Sequence, residues 1–277
     1  MTHIFTTRFR IRQYELDARG ELPNSTLLRL FQETATRASQ DAGYGVEWYA
    51  EHQTVWVVHR MTLEHLRPMR YRDELALTTW VSDIERVRSH REYIARNAAT
   101  NEIVARGRAR WAYLHSETLS PTRIPANFGE HFAPNGVRAV PRVEPRAYAL
   151  PAPIARWEHR ARRRVQRYEA DEMQHVNNAV YLDWLEQALA DAVAAHPSTF
   201  LHSAQDAPHL CARRHDIEYA RSALPGDEVE IVTRLAGAGY CASAWELQVN
   251  RGEELLVRDH ITALWVDDAG KPTRGNW

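Results

Sequence analysis

Two cysteines, Cys211 and Cys241, are all that the 277 residues contain. They are too few for a disulfide scaffold, and no CxxC pair offers half of a zinc site. Lysine is nearly missing as well. Lys271 is the only one, so arginine carries the basic side, which reads as a compositional bias before it reads as function. Neither sign of charge is in excess: the formal net charge is −1, and no global field draws the chain to nucleic acid or to an anionic membrane. No apolar run approaches the length that spans a bilayer. The opening MTHIFTTRFRIRQY enters an alternating pattern at once and has neither signal-peptide nor transit character, so the expected location is cytoplasmic. His59 and His65 flank a strand-like run without HExxH or a third ligand spacing, and no metal or cofactor is expected.

What is present is 44% hydrophobic and 26% charged, the profile of a soluble globular protein long enough for two ordinary domains. The chain is also a repeat, with matching residues 154 positions apart. Tyr14-Glu15-Leu16-Asp17 corresponds to Tyr168-Glu169-Ala170-Asp171. Asn24 matches Asn178, Arg60 matches Arg214, Glu64 matches Glu218, Arg67 matches Arg221, Asp73 matches Asp227 and Trp111 matches Trp265. One constant offset without a gap implies two copies of one domain.

Each copy has a short strand (Phe5 to Tyr14; Arg162 to Tyr168), a loop, and one amphipathic helix. The first helix is expected near 24–42, with Leu27, Leu30, Phe31, Thr34, Ala35 and Ala38 on one stripe and a stop at Gly43. The second is expected near 178–196, with Tyr181, Trp184, Leu185, Ala188, Leu189 and Ala192 on its stripe and a stop before Pro197. After each helix only strand-like runs follow, rich in Val, Ile, Thr, Trp and Tyr. The GAGYCA stretch (237–242) lies between two of them and reads as a hairpin turn rather than a dinucleotide fingerprint. One long helix covered by an antiparallel sheet is a hot-dog domain, so the fold class is α+β with two tandem hot-dog domains. The expected limits are 1–125, a proline-rich linker at 126–160, and 161–277. Two such units can pair sheet edges, which would remove two exposed edges.

The stretch DEMQHVNN, Asp171 to Asn178, stands just ahead of the second helix. A helix start offers unpaired N–H groups and the positive end of a dipole, suited to an oxyanion. Asp171 and His175 are therefore candidate catalytic residues, with Asn177 and Asn178 as oxyanion or substrate-binding residues. The first copy serves as a control: Asp17 is retained, but Glu21 stands where His175 is. One active site, in the second copy, is expected, the first copy supplying walls for the substrate. The plainer reading is that Asp17 and Asp171 both cap a turn. Arg156 to Arg167 is a basic run that either docks an acidic partner or is a solvated face.

At this point the chain resembles the acyl-acyl carrier protein thioesterases. FRIRQYELDARG, LFQETA, VWVVHRM, LTTWVSD and LSPTRIP carry the likeness in the first half, and DEMQHVNNAVYLDWLEQAL and IEY in the second. The resemblance implies hydrolysis of a fatty acyl thioester on acyl carrier protein, an acyl pocket shaped by the N-terminal unit and reacting groups on the C-terminal one. The family pattern Asp-x-Asn-Gln-His is met by Asp171, Gln174 and His175, but Met173 stands at the asparagine. The family's Glu-Cys pair falls on Ser222 and Ala223. What remains resembles the 4-hydroxybenzoyl-CoA type of thioesterase, with Asp171 as base or nucleophile, His175 orienting water, and N–H groups near Asn178 holding the oxyanion. A CoA thioester as substrate, a hot-dog hydratase, a non-catalytic acyl-binding module and a homodimer stay open at this level.

Overall fold

The computed structural model describes residues 2–142, 157–195, 209–267 and 270–274. It divides into two units, 1–142 and 143–277. Unit 1 runs β1 (Ile4–Arg10), α1 (Asn24–Asp41), α2 (Val46–Glu51), β2 (Thr54–His65), β3 (Glu74–Glu85), β4 (Arg88–Asn97), β5 (Ile103–His115) and α3 (Ala126–Phe132). Its strands pair antiparallel in the order β1-β3-β4-β5-β2. The stripe of α1 is buried as its spacing requires. Phe31 stacks on Tyr93 of β4 with ring centroids 4.7 Å apart. It can do so because β5 carries Gly107 beneath it, where a Cβ would lie 2.4 Å from Phe31 Cε2.

Unit 2 repeats the plan with β6 (Glu158–Arg164), α4 (Asn178–Ala194), β7 (His209–Tyr219), β8 (Glu228–Ala238), β9 (Ala242–Arg251) and β10 (Glu254–Val266). The order β6-β8-β9-β10-β7 is that of unit 1, again antiparallel. The repeat holds down to single bonds. Ile11 N–H donates to Asp73 O and Val165 N–H to Asp227 O, both at 2.9 Å. Each unit is a hot-dog domain. The GAGYCA stretch is a hairpin turn, closed by Gly239 N–H to Ala242 O at 2.8 Å.

Three expectations change. The first strand ends at Arg10, because Gln13–Glu15 closes as a 3-10 turn; by the same geometry β6 lies earlier than expected and ends at Arg164, ahead of the turn at Arg167–Glu169. Strands are not all that follows α1, since α2 and α3 are helices of six and seven residues. Helices so short draw their stability from packing rather than propensity. Phe128 and Phe132 of α3 are buried in one cluster with Tyr44 and Tyr113, and Trp48 and Tyr49 of α2 pack against it.

The third change concerns the 126–160 linker. Its first part belongs to unit 1: beyond α3, Gly136 N–H donates to Ser82 O (2.9 Å), and Trp80 Nε1 donates to Val137 O (3.0 Å). Ala139 N–H donates to the buried Glu92 carboxylate (2.9 Å). Burial raises the Glu92 pKa, while that N–H, the Ser82 hydroxyl and Arg108 hold its charge. The segment thus finds partners along the sheet despite its prolines. The last part, from Glu158, is β6; residues 143–156 lie outside the described residues.

Candidate functional site

The 171–178 stretch is a tight loop closed on itself. Asp171 N–H donates to His175 O (2.8 Å) and Gln174 N–H to Asp171 O (3.0 Å). Asp171 Oδ1 accepts from Met173 N–H at 3.0 Å, so the carboxylate does cap the turn. Its second oxygen accepts no hydrogen bond from the described residues. The loop is pinned from outside by Val176 N–H to Ala223 O and Asn177 N–H to Glu169 O, both 3.0 Å. Ser222 and Ala223 therefore adjoin the loop, but this pair can supply neither a carboxylate nor a thiol. Asp171 and His175 are both half-buried. The backbone brings them together, yet no hydrogen bond joins their side chains, and the imidazole bonds to none of the described residues.

The first copy shows the same loop with its carboxylates paired. Asp17 Oδ1 accepts from Arg19 N–H and Glu21 N–H, both at 2.9 Å. Its other oxygen faces the Arg19 guanidinium at 3.4 Å, and Glu21 pairs with Arg70 at 3.0 Å. At the positions matching Arg19 and Arg70 the second copy has Met173 and Leu224. Both carboxylates of the first loop are thus neutralised, whereas Asp171 has no arginine partner among the described residues. A half-buried carboxylate without a counter-ion keeps its capacity to accept a proton or attack.

Backbone strain differs too. Gly20 in the first loop has φ +72° and Gln174, at the matching position, has φ +61°. A side chain in the left-handed region costs about 1–2 kcal/mol, a cost that glycine escapes. Gln174→Gly is expected to raise the urea midpoint by an amount worth about 1 kcal/mol. An unchanged or lower midpoint would mean that the loop holds no such strain.

The helix start divides the two asparagines. Asn177 is the N-cap of α4, its side-chain oxygen accepting Ala179 N–H at 2.9 Å. That engages its side-chain oxygen in the helix start. Asn178 opens the helix, and its carbonyl accepts from the Tyr219 hydroxyl at 3.2 Å. Its N–H has no acceptor among the described residues, which leaves one donor at the positive end of the α4 dipole.

Sequence reasoning missed a second charged group in unit 2. His215 of β7 is fully buried, its Nδ1 2.7 Å from Asp259 Oδ2 and its Nε2 3.2 Å from Glu186 Oε1. Burial works to lower the imidazole pKa, but Asp259 and Glu186 outweigh it and push it up to about 10. The repeat held the only signal: the matching residues of the first copy are Met61, Ala105 and Gln32. The basic run, by contrast, is largely spoken for. Arg160 and Arg162 pair with Glu230, Arg163 with Glu169, and Arg164 lies 4.0 Å from Glu228. It fits a solvated, internally neutralised face better than a docking surface.

Comparison with known proteins adds to this geometry. Residues 2–132 match the family model of the acyl-ACP thioesterase N-terminal domain, and residues 165–270 that of the thioesterase-like superfamily. An acyl-[acyl-carrier-protein] hydrolase of Cuphea viscosissima is 25% identical over 247 residues, covering 86% of this chain and 57% of that protein. An oleoyl-acyl carrier protein thioesterase of Arabidopsis thaliana is 22% identical over 211 residues, 68% of this chain and 55% of that protein. The chain thus spans about half the length of such relatives. Among solved structures, an acyl-ACP thioesterase from Bacteroides thetaiotaomicron superposes with TM-score 0.72 at 17% identity, covering 94% of this chain and 98% of that one. The 12:0-ACP thioesterase from Umbellularia californica superposes with TM-score 0.73 at 17% identity, covering 94% and 93%. Between them the two thioesterase models account for most of both hot-dog units, and over both units the chain is similar to the acyl-acyl carrier protein thioesterases.

Proposed function

We propose that this chain hydrolyses fatty acyl thioesters, with acyl carrier protein as the carrier and unit 2 as the catalytic half. The observation that carries the assignment to unit 2 is the asymmetry of the two loops: Arg19 neutralises Asp17 and Arg70 pairs with Glu21, whereas Asp171, with Met173 in the place of Arg19, has no counter-ion among the described residues. Asp171 accepts a proton from water as the oxygen of that water attacks the thioester carbonyl, or it attacks the carbonyl itself. The carbonyl oxygen becomes negative and is met by the Asn178 N–H at the start of α4. When water attacks, collapse breaks the carbon–sulfur bond and releases the carboxylate and the carrier thiol. When Asp171 attacks, collapse releases the thiol and leaves a mixed anhydride on Asp171, which water then hydrolyses to the carboxylate and free Asp171. His175, half-buried and close to Asp171 through the loop backbone, orients the water or returns the proton to the leaving sulfur.

The test is release of free thiol from acyl carrier protein and from CoA thioesters of the same acyl chain. Turnover on the carrier protein thioester is expected; a folded protein that releases no thiol from either would overturn the reading, leaving an acyl-binding module or a hydratase. His175→Ala is expected to lower turnover about a hundredfold, the scale of a lost proton-transfer group, with little change in melting temperature. Retained turnover per folded molecule would remove His175 from the mechanism.

A further inference from the structure

The inner face of unit 1 holds a cation that nothing among the described residues balances. Arg91 of β4 is 7% exposed. Its NH1 is sealed from solvent without a hydrogen-bond partner, and none of its guanidinium nitrogens donates to a described residue. The groups that act on its charge are Tyr93 and Tyr49, and its guanidinium lies 5.3 Å from the centre of the Phe132 ring. Buried charges are normally paired, because removing a charge from water costs several kcal/mol that only a counter-charge and hydrogen bonds return. The strand register puts Arg91 between Val81 and Ala109, with Trp111 farther along the same face.

The second copy again supplies the control. At the position of Arg91 it has Trp245, 1% exposed and satisfied by the Ser243 hydroxyl at 2.8 Å. The fold fills this place with an aromatic side chain and has no need of a cation there.

We infer that Arg91 marks a binding site on the inner face of unit 1 for the carboxylate of an aliphatic chain. One guanidinium matches one carboxylate in charge and in its two-pronged hydrogen bonding. A phosphate dianion would be left half-neutralised, since no second cation acts on this place among the described residues. Phe132, Tyr49 and Trp111 provide apolar surface for the chain that carries the carboxylate. The site does not depend on the hydrolytic reading: binding tests it, and turnover enters only to assign the source of the carboxylate.

The measurement is titration of the intact chain with dodecanoate and with dodecanol, by calorimetry and thermal shift. Dodecanoate is expected to bind at least tenfold more tightly. In Arg91→Met that preference is expected to vanish, while dodecanol binds as before and the ligand-free variant melts no lower than the parent, because an unpaired buried charge has been removed. Equal binding of acid and alcohol by the parent would overturn the site, as would a preference that survives in Arg91→Met. The parent comparison stands alone if that variant fails to fold, and Arg91→Lys is then expected to keep part of the preference. Thioesters of dodecanoic and dodecanedioic acid separate the two sources of such a carboxylate. A KM about tenfold lower for the diacid thioester, lost in Arg91→Met, assigns the site to the far end of an acyl chain. Preference for the free acid without that KM difference assigns it to a separate fatty acid.

Discussion

Asp171→Asn is expected to lower acyl thioester hydrolysis by about a hundredfold or more, the scale on which a general base or nucleophile is lost. The amide keeps the oxygen that accepts Met173 N–H, so the turn and the melting temperature should survive. Asp17→Asn is expected to change hydrolysis little. Asp17 accepts two backbone N–H groups and faces Arg19, so its loss falls on the stability of the first loop. Rates per folded molecule for the two variants, measured side by side, decide the matter. Equal losses would mean two working sites and would end the argument from asymmetry.

The second large effect concerns stability. Asp259→Ala leaves the fully buried His215 with Glu186 alone, and it also strips the acceptor from Asp216 N–H at 3.1 Å. Breaking a buried ion pair from one side costs about 3–5 kcal/mol, and chemical denaturation should show a loss of that order. The pH dependence has a definite sign. The His215 pKa is pushed up to about 10 in the folded chain, above its ordinary value of about 6.5. Its contribution is therefore complete below about pH 6.5 and is lost as pH rises toward 10. His215→Met, which installs the residue type found at Met61, should flatten that alkaline decline relative to the parent. Parallel pH profiles for parent and variant would show that the imidazole is not charged in the folded chain.

The same internal repeat that licenses these comparisons also shows how far the residues alone reach. Offset and periodicity settle the architecture. Apolar side chains at helical spacing must be buried on one face, so Leu27 to Ala38 and Tyr181 to Ala192 place both helices to within a few residues. The alternating runs place the strands, and the turn residues between them bound each one. Asp171, His175 and Asn178 are legible as candidates, because they sit within eight consecutive residues at a helix start.

What only the tertiary structure decided is whatever depends on partners far apart in the chain. The helices α2 and α3 hold fewer than two turns each, so their stability lies in an aromatic cluster drawn from residues 44 to 132. Asn177 and Asn178 look alike in sequence, and only the helix boundary makes one a cap and leaves the other's N–H available. Glu186, His215 and Asp259 come from a helix and two strands, and Arg19 and Arg70 reach Asp17 and Glu21 from within and beyond the loop. Pattern reports which face of an element is buried, because burial is set by the neighbours at fixed spacing along it. Which charge meets which is fixed by strand register and helix packing, and those are properties of the folded chain.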